Sequence, residues 1–210
     1  MPTLSRSGSL DRMAKLHYHR PRTHGLLMLN YPNLTAILQG LKPPLSDAVV
    51  TSRLAPCLLR TWLEDYSRVT HEYDVVETKN TGFFYLFDIA AERLIAAWGL
   101  SKGKDASPRA IIAMRMRGHP LTNTVGGKRY HRGHAVPHTL GGRTDINLVL
   151  QLGLINSGPF QELERLAVAT PGSLYFSYWW YPDARTQRPS GVEQGCLIAG
   201  SAPRIENFRN

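Results

Sequence analysis

Hydrophobic and polar positions change rhythm several times along the chain. In SRLAPCLLRTWLEDYSRV (52–69), Leu54, Leu58, Leu59, Trp62 and Tyr66 recur at steps of about three or four, with Arg60, Glu64 and Asp65 between them. That is the period of an amphipathic helix, and it predicts one within 45–72. GFFYLFDI (82–89) is a short β-prone run, and AAERLIAAWGL (90–100) reads as a second helix. SKGKDASPR (101–109) has the composition of a linker, with Gly, Lys, Ser and Pro and no large apolar side chain. Beyond it the apolar runs shorten. AIIAMRMRG (110–118) predicts a strand, and YHRGHAV (130–136) a short strand stopped at Pro137. INLVLQL (146–152) is extended or a short helix. NSGPFQELERLAVA (156–169) predicts a helix with Pro159 in its first turn and Gly172 past its end. SLYFSYWWYP (173–182) is the clearest strand of all, its aromatics read as core rather than as a surface for stacking bases, and GCLIAG (195–200) is one more candidate. The expected organisation is a basic, loop-rich arm at 1–30, a mostly helical region at 31–104 and a mixed domain at 105–210.

Composition narrows the classes. No apolar run reaches the length of a membrane span. The basic N-terminus is not followed by the apolar stretch of a secretory signal. The expected location is therefore the cytoplasm, or outside the cell by a route that needs no cleavable signal, with no membrane partner. Cys57 and Cys196 have no metal-binding or redox spacing and read as free thiols. Charge changes the picture more. The chain carries a formal net charge of +9. Residues 101–143 hold nine Lys or Arg and one acid, so nearly all the excess lies there. A basic cluster of this kind suggests a polyanionic ligand, most simply DNA or RNA.

The same cluster contains YHRGHAVPHTLGG (130–142), with three histidines in eight positions. TVGGKRY lacks the spacing and the Ser/Thr ending of a phosphate-binding P-loop. His131, His134 and His138 do not make a convincing zinc set. On a strand, positions 131 and 134 face opposite ways, Pro137 prevents a helix from joining 134 to 138, and no cysteine lies nearby. No GxSxG elbow supports a serine nucleophile. Phosphodiester hydrolysis suits the residues better. It needs a base that titrates near neutral pH, a cation for the charge on phosphate, and basic side chains to hold the substrate. A histidine, an oxygen donor for a hydrated Mg²⁺, and several arginines answer these needs. Helical spacing would let Asn156 and Glu164 both look toward His134.

The motifs HRGH (131–134), INLVLQ (146–151) and NSGPFQELE (156–164), in that order and spacing, resemble the DNA/RNA non-specific endonuclease family, nucleases built on a ββα-metal (His-Me) finger. The tail RPSGVEQGCLI (188–198) with a terminal FRN is similar to toxin-type members. The resemblance spans roughly 105–210 and leaves 1–100 without a counterpart. It implies an α+β fold, with the finger set on a mainly antiparallel sheet and a helical region before it. It implies a metal-dependent, largely sequence-non-specific endonuclease using Mg²⁺, or Mn²⁺ in its place. His134 would be the general base and Asn156 the metal ligand. Glu164 would orient waters on the metal, and Arg132 would bind phosphate. Arg115 or Arg117 would neutralise developing charge, and Lys128, Arg129, Tyr130 and His131 would face substrate.

One position departs from the pattern. The family's Asp is His131 here. Histidine could replace the carboxylate as a hydrogen-bond partner, shift the metal preference, or mark a weakened enzyme. There are two rival readings: a catalytically inactive nucleic-acid-binding protein on a decayed nuclease fold, and a zinc-organised structural module. As a nuclease, the chain would threaten its own cell. That suggests an antibacterial toxin or effector held in check by an acidic immunity protein. Oligomeric state is not legible in the sequence.

Overall fold

The structure is a computed structural model that describes residues 28–71, 73–107, 124–125, 127–143 and 145–210. Residues 1–27 of the expected arm at 1–30, and the strand expected at 110–118, lie outside the described residues. The fold is α+β. A six-stranded antiparallel sheet contains, in spatial order, β1 (Val75–Asn80), β2 (Phe83–Asp88), β3 (Arg93–Leu100), β7 (Leu174–Trp180), β8 (Gly191–Leu197) and β9 (Arg204–Arg209). A three-stranded antiparallel sheet contains β4 (Thr124–Val125), β5 (Lys128–His134) and β6 (Leu148–Leu152).

Helix α1 spans Leu34–Gln39 and α2 spans Asp47–Val49; one wide π-helical turn, Val50–Leu54, leads from α2 into α3, Ala55–Tyr66. Pro56 lies in the first turn of α3. It has no N–H for the ladder, which fits a widened turn just ahead of it. Leu58, Trp62 and Tyr66 form a buried stripe, as the periodicity predicts, joined by Ala55 and by Leu54 of the π-helical turn, while Leu59 is half-buried.

Strands β1, β2 and β3 form a meander. β3 corrects the sequence reading, which expects a helix at 90–100. It lies inside the sheet between β2 and β7, with Arg93 to Gly99 all buried. A strand covered on both faces loses the apolar–polar alternation that identifies strands, so its sequence looks like a buried helix. Gly99 is where the packing is closest. A Cβ there would lie 2.7 Å from the Phe83 ring. β3 ends just before the linker-like stretch, and its partner β7 comes after it, so one sheet draws strands from both sides of residue 104.

Strands β7, β8 and β9 complete the sheet. Side chains alternate between its two faces. On one face Trp62 of α3 stacks on Tyr178 at 5.9 Å and packs against Phe176 at 5.4 Å and Trp98 at 5.7 Å. On the other face Phe160 meets Trp179 at 6.1 Å, and its carbonyl accepts from Gln194 Nε2 at 2.9 Å. Tyr178, Trp179 and Tyr181 are buried, so they are core.

Two buried polar groups tie the helices to the sheet. Arg93 is 1% exposed. It donates from Nε to the Tyr66 hydroxyl at 2.7 Å and from Nη1 to the carbonyls of Asp183 and Thr186, while Tyr66 donates to Asp88. Glu193 is also fully buried. It accepts from the Tyr31 hydroxyl, which in turn accepts from Trp62 Nε1, and from the backbone N–H of Leu29. Burial pushes its carboxyl up to about 7, against the pull of the Tyr31 and Leu29 donors. The folded protein therefore keeps a proton that the unfolded chain releases near pH 4.5. The group's contribution to stability is fully present below that pH and is lost as pH rises towards 7, by about 3 kcal/mol at most. Glu193→Gln should flatten the dependence. Its amide can donate to Tyr31 and its oxygen accept from Leu29. Thermal melts from pH 5 to pH 8 check this: the variant should gain on the wild type as pH rises, and equal slopes would contradict the expectation.

Candidate active site

Strand β5 pairs with β6, setting His131 opposite Gln151, Gly133 opposite Val149 and His134 opposite Leu148. β4 pairs on the far side of β5. β6 runs directly into the short helix α4, Gly153–Asn156, and α5 lies beyond it at Phe160–Ala169. The chain thus forms a hairpin and then returns along it through α4, which carries Asn156 back to the middle of β5.

Two close approaches make this return feasible. A Cβ on Gly133 would lie 2.1 Å from Gln151 Oε1, so only glycine leaves room for the glutamine across the hairpin. A Cβ on Gly153 would lie 3.0 Å from His131 Nε2, so the helix start also sits tight against the imidazole. The result is a contact between the strand motif and the helix motif. Asn156 Nδ2 lies 3.4 Å from His131 Nδ1.

The single helix expected over 156–169 is instead two. Ser157, Gly158 and Pro159 form a turn between them, so Asn156 closes α4 while Glu164 lies midway along α5. No single helical face therefore turns both toward His134. Glu164 accepts a short hydrogen bond from the Thr139 hydroxyl. Asn156 meets His131, which alternation puts on the opposite face of β5 from His134.

His134 is half-buried at the end of β5. The segment beyond it is held rigidly. Asn147 is fully buried, and its side chain brackets one residue: Oδ1 accepts from Val136 N at 2.7 Å and Nδ2 donates to Val136 O at 2.8 Å. Its own carbonyl accepts from Ala135 N at 2.9 Å. The carbonyl of Ala135 accepts from the hydroxyls of Tyr175 and Ser177 on β7. A Cβ on Gly142 would lie 1.9 Å from Val136 O, so the returning loop closes the bracket from outside. Asp105 adds a tether. Its N–H donates to Thr139 O at 2.7 Å and its carboxylate accepts from Arg143 Nη2 at 2.5 Å. The backbone N–H and side chain of Ser107, then Arg143, hold that carboxyl down at about 2.

The basic side chains divide. Lys128, Arg129 and Arg132 are exposed on β5, and Lys102 and Lys104 are exposed nearby in sequence. Arg143 is engaged with Asp105. Tyr130, expected to face substrate, is buried at 4% exposure, with the Arg188 guanidinium 5.4 Å from its ring centroid. A buried ring offers no stacking face to a base. Arg115 and Arg117 lie outside the described residues.

Sequence reasoning missed Asn147, Gln151, Arg188 and Asn210 as contributors. The first two stand in the INLVLQ motif and Arg188 in the RPSG tail, so the motifs marked them without indicating a task. Asn210 ties the small sheet down: its amide donates to Leu150 O and Pro189 O, and Oδ1 accepts from Leu152 N at 2.7 Å. Asn210→Ala should cost about 1–3 kcal/mol, since it strands two backbone groups at the edge of β6. Chemical denaturation measures this, and no change in midpoint would contradict it.

Among the described residues no three His, Cys, Asp or Glu side chains are grouped so as to hold a metal ion. A metal here would rely on amide oxygens and single imidazoles. Among the same residues no helix is long and apolar enough to cross a membrane.

No protein-family model matches the chain, and no curated protein matches it. Among solved structures, NucA from Streptococcus agalactiae with no metal bound is similar at 13% identity and a TM-score of 0.45, over 79% of this chain and 92% of that one. The same protein with magnesium ion bound is similar at 14% identity and a TM-score of 0.45, over 72% of this chain and 88% of that one.

Proposed function

We propose that the chain is a metal-dependent endonuclease of low sequence preference that hydrolyses phosphodiester bonds of DNA, RNA or both, on a ββα-metal finger formed by β5, β6 and the helices after them. The observation that carries the reading is the meeting of the HRGH strand with Asn156, 3.4 Å from His131, across 25 residues of sequence. The contact joins Asn156 to the strand that carries the proposed base His134 on its other face and the exposed Arg129 and Arg132.

His134 takes the proton from a water as that water attacks phosphorus. The P–O3′ bond breaks, leaving a 5′-phosphate and a 3′-oxygen that collects a proton from solvent. Arg132, with Lys128 and Arg129, grips phosphate oxygens, contacts that carry no base information and so suit low sequence preference. Arg115 or Arg117 adds positive charge. Glu164, steadied by Thr139, orients water. Asn156 would hold Mg²⁺, or Mn²⁺ in its place, which when bound supplies charge stabilisation for the departing oxygen. The fit rests on donor chemistry: Mg²⁺ keeps most of its waters and needs only one or two protein oxygens.

The test is incubation of the whole chain with supercoiled plasmid and with total RNA, with Mg²⁺ or with EDTA. Cleavage that needs the metal supports the reading. Salt-sensitive binding without cleavage under any divalent ion overturns it in favour of the inactive nucleic-acid-binding protein, and zinc retained through purification favours the structural module. Substrate binding should also weaken steeply between low and high salt, because several phosphates are neutralised together. Titrations at two salt concentrations read this, and a flat response would mean that phosphate contacts do not drive binding. Such activity fits a toxin or effector restrained by an acidic immunity partner; purification from the native host free of any acidic partner would count against that role.

A further inference from the structure

We infer that Arg188 is a substrate-binding residue that grips a phosphate of the nucleic acid beyond the one at Arg132, so that the substrate backbone lies along β5 from His134 past Arg132 to the loop between β7 and β8. This rests on the proposed nuclease reading and names the path of its substrate. Three observations carry it. First, the Arg188 guanidinium lies 5.4 Å from the ring centroid of Tyr130. Alternation puts Tyr130, Arg132 and His134 on one face of β5. Same-face residues on an antiparallel strand are about 6.8 Å apart, so Arg188 continues the row from His134 and Arg132 by one further step. Second, Arg188 is half-buried and, among the described residues, no carboxylate pairs with it. The same holds for Lys128, Arg129 and Arg132. A guanidinium resting against an aromatic ring keeps its N–H edge for an anion, and its planar fork matches two phosphate oxygens.

Third, the loop that carries Arg188 is tethered along its length. β7 ends at Trp180 and β8 begins at Gly191, strands that a two-residue turn could join. Residues 181–190 instead reach across to the small sheet. The carbonyls of Asp183 and Thr186 accept from Nη1 of the buried Arg93 at 2.7 and 2.8 Å. The Asp183 carboxylate accepts from the backbone N–H groups of Arg185 and Thr186. Pro189, the neighbour of Arg188, is buried, and its carbonyl accepts from Asn210 Nδ2 at 2.9 Å. The same nitrogen donates to Leu150 O of β6, the strand whose Leu152 stands opposite Tyr130. The fold itself therefore brings Arg188 to Tyr130, and little ordering cost is left when a phosphate binds.

Fluorescence anisotropy of a labelled DNA duplex with the whole chain in EDTA, repeated over a series of salt concentrations, tests this without requiring turnover. A phosphate contact shows in the slope of log affinity against log salt, which a merely structural residue does not set. Arg188→Ala should bind more weakly at low salt, with a slope shallower by about 0.9. Arg188→Lys keeps the charge and should restore most of the slope. Arg185→Ala removes an equal charge from an exposed position in the same loop and should leave the slope as in the wild type. Circular dichroism melts report that each variant is folded. The inference is overturned by a wild-type slope in Arg188→Ala, by an equal change in Arg185→Ala, which would make the loop a diffuse positive surface, or by a wild type that does not bind nucleic acid. Failure of the nuclease reading looks different. The expected slopes with no cleavage under any divalent ion leave Arg188 as a phosphate contact of a binding protein. Cleavage with an unchanged slope in Arg188→Ala leaves the nuclease standing without it.

Discussion

His134→Ala is expected to lower the cleavage rate by about 10²–10⁴-fold while leaving the fold and the affinity for nucleic acid nearly unchanged. The range is what a positioned general base contributes when it is removed and water must serve instead. Binding should persist because Lys128, Arg129 and Arg132 are exposed on the strand and do not depend on the imidazole. The fold should persist because the side chain is only half-buried and stands at the end of β5. The measurement is single-turnover cleavage of a plasmid at saturating protein beside a binding titration. Loss of binding in parallel with cleavage would make His134 a substrate-gripping or structural residue. Unchanged cleavage would remove it from the mechanism altogether.

Asn147→Ala is expected to destabilise the protein by about 2–5 kcal/mol, a large effect for one side chain. Both polar atoms of the Val136 backbone are satisfied by this one amide. Truncation leaves a donor and an acceptor in a site that water does not reach, each costing about 1–3 kcal/mol. Asn147→Asp keeps the acceptor for Val136 N but faces Val136 O with another acceptor, so it should rescue little. Gly142→Ala should produce a similar loss by a different route, since its methyl would overlap Val136 O. Where Asn147→Ala remains folded, cleavage should fall while substrate binding holds, because Val136 lies two residues after His134 and its placement sets the base. Urea denaturation gives the stability. A shift under about 0.5 kcal/mol would mean that solvent satisfies Val136 and that the bracket is incidental.

The wild-type restraint at Glu193 has the same physical basis. A buried carboxyl with an upward-shifted titration is tolerated because Tyr31 and Leu29 donate to it, Tyr31 being held in turn by Trp62. It fastens residues 29–31 to β8, so the helical region and the sheet are joined by a polar anchor as well as by the Trp62 stack.

Local pattern determined a good part of this protein. The stripe Leu58, Trp62, Tyr66 forms its helix because a period near 3.6 admits one buried face. SLYFSYWW becomes a strand because aromatic and alternating residues pack well on a pleated surface. The basic run around 101–143 and the order of the three motifs were equally legible, since both are properties of sequence alone. Tertiary structure decided the rest. RLIAAWGL is a strand only because β2 and β7 flank it and cover its ladder; nothing within the segment states that. The turn at Ser157–Pro159 separates Asn156 from Glu164, and the register of the β5–β6 hairpin, not helical spacing, brings Asn156 to His131. Asn147, Asn210 and Glu193 read as ordinary polar residues until their partners, up to 164 positions away, fold against them. Hydrogen bonds of that range leave no periodic trace in a sequence, because their geometry exists only after the backbone has closed the distance.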